Sequence, residues 1–154
     1  MAKAKITLPE QFLHKCSRLG ERTDEILGRV LKAGGTVVLE KVKSNLRTVI
    51  GRDTKLPSKS TGELLSSLGL SPAKVDRNGI QNVKVGFNEP RRRQRAAKGK
   101  RSYYTATNAM VANVLEHGRH GQPAKPFLKP AKSAARKKCI DAMQAQLEEE
   151  LDKL

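Results

Sequence analysis

Apolar residues recur at helical spacing through the first third of the chain. Phe12, Leu19, Ile26, Val30, Ala33, Val37, Leu46 and Ile50 fall mostly three, four or seven positions apart, and Pro9 suits the first turn of a helix. The pattern predicts one long helix from Pro9 to about Ile50. Gly20, Gly28 and the pair Gly34-Gly35 interrupt it, each lowering helix propensity by about 1 kcal/mol relative to Ala. Either the helix kinks near Gly34, or other elements pack tightly against it there. Unbroken, it would run about 60 Å at the α-helical rise. A chain of this size cannot bury such a length, so part of it is expected to lie against something else.

The pattern then changes. Residues 51–62, GRDTKLPSKSTG, form a polar, punctuated loop, and ELLSSLGLSP leads to a sheet. Lys74 to Arg77, Asn78-Gly79 and Ile80 to Phe87 read as strand, tight turn and strand, because Asn-Gly suits the positive backbone angles of a two-residue type I′ hairpin. Met110, Val111, Val114 and Leu115 mark a short helix or an irregular strand ending at Gly118. The segment RHGQPAKPFLKP, with three prolines, predicts a stiff extended strap that docks Phe127 and Leu128 on a surface. A last helix is predicted from Ala131 to Leu154, with Ile140, Met143, Leu147, Leu151 and Leu154 on one face. The class is α+β: a long N-terminal helix, a small antiparallel sheet with its hairpin at Asn78-Gly79, and a C-terminal helix, in a single domain spanning 1–154.

Charge adds what periodicity does not. The 154 residues hold 31 Lys and Arg against 15 Asp and Glu, a net +16. Arg91, Arg92, Arg93, Arg95, Lys98, Lys100 and Arg101 supply seven of those charges without one acid between Pro90 and Arg101. Such a block repels itself and lacks apolar periodicity, so 88–102 is expected to be a basic, flexible loop or arm. It either solvates the chain or contacts phosphates or an acidic protein surface. The last helix is also polarised. Lys132, Arg136, Lys137 and Lys138 sit near its positive N-terminal end and Glu148, Glu149, Glu150 and Asp152 near its negative C-terminal end. Charges placed against the dipole in this way are expected to face complementary charges on other chains.

Composition narrows the class. With 37% hydrophobic and 3% aromatic residues and no Trp, the chain can build a modest core of Leu, Val, Ile and Ala, which excludes a large multi-domain enzyme. No apolar run of about 18 residues and no signal-like N-terminus is present, so a soluble cytoplasmic start and no membrane contact are expected. Cys16 and Cys139 lie far apart without CxxC spacing and are expected to be reduced and packed as small apolar residues. Nucleotide, zinc-protease and hydrolase motifs are absent, and neither cofactor nor metal is expected. The nearest candidate for acid-base or metal chemistry is Glu116-His117 with His120, on a glycine-flanked turn. Surface polar residues explain the two histidines as well.

Three ordered motifs bear on function: Thr61-Gly62-Glu63-Leu64 with Ser66 and Ser67 ahead of the hairpin; Leu115-Glu116-His117-Gly118; and Pro123-Ala124-Lys125-Pro126-Phe127-Leu128-Lys129-Pro130-Ala131. In this order the chain resembles the small tail-component family of long-tailed bacteriophages. It departs from that pattern in placing His117 where an aromatic is usual and in its long cationic block. The resemblance implies a non-enzymatic virion protein of the neck or tail, a tail-completion or head-to-tail joining component. It would be made in the host cytoplasm and assemble with itself, as a ring of about six copies by analogy with tail symmetry, between the tail tube or terminator and the head connector. Leu115, Glu116, Gly118, Pro126, Phe127, Leu128 and Pro130 would form its strap or assembly interface. There Gly118 would adopt angles closed to other residues, and the prolines would order Phe127 and Leu128 in advance. The basic loop would touch DNA or an acidic neighbour. The alternative is a sequence-nonspecific nucleic-acid-binding protein. Seven neutralised phosphates would give a log-log salt slope of about −6, although Tyr103 and Tyr104 are the only aromatics beside the block and no recognition helix is evident.

Overall fold

The computed structural model describes residues 10–52, 62–88 and 107–153, with side chains from residue 17 onward. Apart from Asn88, the basic arm expected over 88–102 lies outside the described residues, as do Tyr103, Tyr104 and the side chain of Cys16. The chain begins with helix α1, Glu10–Val49. Then come α2, Glu63–Ser67, and strands β1, Leu68–Leu70, β2, Lys74–Val75, β3, Gln81–Asn82, and β4, Val85–Phe87. Helices α3, Asn108–His117, and α4, Leu128–Asp152, complete it. The architecture is α+β.

Helix α1 passes through Gly34-Gly35 without interruption, and the reason is close packing on two sides. A Cβ on Gly34 would stand 2.6 Å from Met143 Cγ and 3.0 Å from Cys139 Sγ, while one on Gly35 would stand 2.7 Å from Leu70 Cδ1. The glycine pair thus seats α4 on one side of α1 and the sheet on the other. Asn45 lies beside Phe127, Gly34 beside Met143, and Arg29 beside Glu150, so α1 and α4 run antiparallel along most of the length of α4. Ile26, Val30, Val42 and Leu46 are buried, with Gly34 on the same four-residue row, a ridge for packing against the second helix.

The strands form one interrupted hairpin. Leu68 pairs with Phe87 and Leu70 with Val85, whereas Lys74 pairs with Asn82 and Val75 with Gln81. The two registers differ by one residue, the extra one falling near Pro72 on the first strand. Proline has no N–H to give to a ladder, so it marks the bulge. The segment expected as one strand from Ile80 to Phe87 is therefore two. The turn also differs from a two-residue type I′ loop. Asp76 N–H donates to Ile80 O and Gly79 N–H to Asp76 O, and Gly79 has φ +77°. This is the three-residue turn in which the last residue takes the left-handed conformation. Asp76 selects it, because its Oδ1 accepts from the N–H groups of both Asn78 and Ile80. Arg77 consequently belongs to the turn rather than to a strand.

The core gathers Val42 and Leu46 of α1, Leu64 and Leu68, Ala112 of α3, and Phe127 with Ala131 at the start of α4. Leu46, Phe127 and Ala131 are wholly buried. Phe87 and Phe127 meet edge to face with centroids 6.4 Å apart, an arrangement that adds to simple burial. Two expectations for the C-terminal helix are corrected. It starts at Leu128, so Leu128 and Pro130 lie in its first turn rather than in the strap. Its buried residues are Ala131, Ala135 and Glu150, and of the expected face Met143 is half-buried against Gly34, while Ile140, Leu147 and Leu151 stay partly exposed.

Candidate functional site: a carboxylate clasp between two helices

The second and third motifs meet in space at the N-terminus of α4. Helix α3 starts on Thr107, whose hydroxyl accepts from Met110 N–H. It stops at Gly118, whose N–H donates to Val114 O. Gly118 has φ +76° and ψ 179°, and a Cβ there would lie 2.8 Å from both Ala124 N and Gln122 O. Only glycine fits, both for its angles and for the backbone passing against it. A tight turn follows, closed by reciprocal hydrogen bonds between Arg119 and Gln122. The strap then runs back along the end of α3, where Lys125 N–H donates to Leu115 O at 2.7 Å. The Lys125 ammonium also reaches Arg52 O at the end of α1.

Glu116 closes the structure. It is 9% exposed, and its carboxylate accepts three backbone hydrogen bonds: Phe127 N–H and Leu128 N–H to Oε2, both at 2.8 Å, and Lys129 N–H to Oε1 at 2.9 Å. Every helix begins with N–H groups that have no partner inside the helix. Here three of them end on Glu116, and the next residue, Pro130, has no N–H. The first donor within the helix is Ala131, to Phe127 O. All backbone donors of the opening turn are thereby accounted for, by a carboxylate from another helix standing at the positive end of the α4 dipole. Burial pushes the Glu116 carboxyl upward, but the N–H groups of Leu128, Phe127 and Lys129 outweigh it and hold the group below its ordinary range.

The site therefore unites Leu115, Glu116, Gly118, Pro126, Phe127, Leu128 and Pro130, though in different roles. Phe127 fills the chain's own core, and Asn45 Nδ2 donates to its carbonyl. Leu128, its neighbour, remains 37% exposed. His117 and His120 are exposed, and among the described residues no group of three potential metal ligands exists. The Glu116 carboxylate is occupied by backbone donors, which makes it an architectural anion rather than a free acid or base. Arg91, Arg92, Arg93, Arg95, Lys98, Lys100 and Arg101 lie outside the described residues.

At the far end of the helix pair a second carboxylate went unrecognised in the sequence. Glu150 is buried, and its Oε2 accepts from Arg29 Nη2 at 2.7 Å, while Oε1 accepts from Gln146 at 3.1 Å. The Arg29 hydrogen bond, against the opposing effect of burial, holds the Glu150 carboxyl below its ordinary range. One of the acids expected to seek another chain is thus neutralised within its own. Only the four-residue spacing of Ala131 and Ala135, projected toward Glu150, hinted that this face turns inward. Among the described residues, no helix is long and apolar enough to cross a membrane.

No curated protein and no solved structure matches the chain. A family model described as "Bacteriophage HK97-gp10, putative tail-component" matches residues 10–118, which takes in α1, the interrupted hairpin and α3 through Gly118. The strap and α4 lie beyond the matched region. With well over half of its length matched, the chain belongs to the HK97-gp10-like family of bacteriophage tail components.

Proposed function

We propose that the protein is a non-enzymatic tail-completion or head-to-tail joining component of the phage neck. Copies assemble into a ring, of about six by analogy with tail symmetry, that joins the tail tube or its terminator to the head connector. Family membership supports a structural role in the virion. The observation that carries the reading further is the clasp. The carboxylate that looked most like chemistry, Glu116, is consumed in holding α3, the strap and α4 in one arrangement. Beside that arrangement Leu128 presents an apolar surface, and Met110 on α3 is 59% exposed. In this reading these side chains are offered to neighbouring copies. In this reading the whole chain, 1–154, acts as one domain, and the 88–102 segment works as an arm. Its Arg91, Arg92, Arg93, Arg95, Lys98, Lys100 and Arg101 meet an acidic neighbouring ring or the phosphates of DNA in the lumen.

Leu128→Gln tests the assembly role without attacking the core. Position 128 is exposed and at the first helical residue, so the variant should fold with an unchanged circular dichroism spectrum. In a phage that depends on this copy, tailed particles should fall while free heads and free tails accumulate. Normal yields of tailed particles with this variant would contradict the role given to Leu128. A second reading, nonspecific nucleic-acid binding as the main activity, is favoured by the seven-charge block alone.

A further inference from the structure

The outer side of α4 carries a partly exposed apolar stripe. Ile140 is 48% exposed, Leu147 37% and Leu151 39%. Their spacing of seven and four keeps them on one side of the helix, away from the Ala131, Ala135 and Glu150 side that meets α1. Charge along the same helix is polarised. Lys132, Arg136, Lys137 and Lys138 are exposed in its first half, and Glu148, Glu149 and Asp152 are exposed in its second. Both groups oppose the macrodipole, so helix electrostatics does not explain them. Among the described residues, the acids of this helix that find cations are those at 149 and 150, with Lys153 and Arg29, and the four basic side chains make no ion pair. The region matched to the tail-component family ends at residue 118, before this helix begins.

We propose that this face docks on the same face of a second copy of the chain, α4 against α4, antiparallel about a twofold axis. That orientation sets apolar stripe against apolar stripe. It also lays the basic first half of each helix along the acidic second half of the other, whereas a parallel pair would stack like charges. One symmetry operation satisfies both ends at once, as an isologous contact requires. A uniformly acidic partner would match only the first half, and an uncharged partner neither. The contact spans Arg136 to Leu151, about 22 Å of helix. A single helix pair of that length is a small contact, so the pairing is reversible. It is distinct from the head-to-tail contacts that close a ring, and it stands or falls independently of the neck assignment.

Sedimentation velocity over a wide concentration range reads this directly. The unit of assembly should double reversibly with concentration and separate again in high salt. Leu147→Lys should weaken the doubling by about tenfold or more, and both partners should remain fully helical because the position is exposed. Lys137→Glu should weaken it as well, and Lys137→Glu combined with Glu148→Lys should restore it, since the two positions face each other across the axis. Gln144, exposed between Ile140 and Leu147, should join its own counterpart. In a background carrying Cys16→Ser and Cys139→Ala, Gln144→Cys should give a disulfide that mass spectrometry maps from position 144 to position 144. No doubling at any concentration, doubling unaffected by Leu147→Lys, or a link mapped to any other position would overturn the proposal.

Discussion

Glu116 is where one side chain decides most. Replacing it with Gln keeps an acceptor oxygen but removes the charge and turns an NH₂ group toward buried backbone donors, a loss of about 2 kcal/mol. Urea unfolding of Glu116→Gln should show that decrease in midpoint with an unchanged slope. The carboxyl titrates lower in the folded chain than in the unfolded one, so below its ordinary range the unfolded chain binds more protons and stability falls with falling pH. Its stabilisation is complete above the unfolded-state value and is lost as pH drops through the lower, folded-state value. Stability measured from neutral to acid pH should therefore decline more gently in Glu116→Gln than in the parent protein. Gly118→Ala should cost about 1–3 kcal/mol, because a side chain there is strained by its backbone angles and meets the strap. Phe127→Ala should cost about 3–5 kcal/mol as a core cavity, so loss of particles in that variant would report folding rather than a subunit contact. Of these residues, Gly118 and Phe127 were legible in the sequence as a turn and an anchor. The role of Glu116 was not, since its partners are eleven to thirteen positions away and no helical or strand period links them.

At the scale of elements, the glycines of α1 divide into two kinds. Gly20 has open space around its Cα, and Gly20→Ala should raise stability by up to about 1 kcal/mol through helix propensity. Gly34→Val should lower it, since the added atoms meet Met143 and Cys139 of α4. A pair of thermal melts suffices to compare them. The sequence admitted a kink or a tight contact at Gly34-Gly35, and packing settled it as contact from both sides. The long helix was readable because its period is strong, the hairpin region because of Asn78-Gly79, and the C-terminal helix from the spacing of a few apolar residues. Details that depend on one hydrogen bond were not. Asp76 changed the hairpin turn, Pro72 split the ladder, and the clasp moved the start of α4 back to Leu128. The apolar stripe Ile140, Leu147 and Leu151 looked like a core face because periodicity reports that a face exists and not which neighbour it meets. The fully buried positions are alanines and a glutamate, residues that carry little hydrophobic signal, and of the expected face Met143 turns onto Gly34.

For the whole molecule, the antiparallel pair of α1 and α4 is held at one end by the Phe127 core and the Glu116 clasp, and near the other by Arg29 and Glu150. Among the described residues Leu128 and the outer side of α4 expose apolar side chains, and in the proposed reading these meet other chains. The α+β class and the tail-component family were both within reach of the sequence, since long helical periods and ordered motifs survive without coordinates. The surfaces were not, because exposure is a property of the folded pair of helices rather than of any one residue. We propose that this protein works by assembling. Native mass spectrometry of nuclease-treated protein across a salt series, alone and with a short DNA duplex, tests it most directly. A discrete closed oligomer larger than a dimer that persists without DNA is expected. A chain that stays monomeric at every salt concentration and binds the duplex with a log-log slope of about −6 would contradict it.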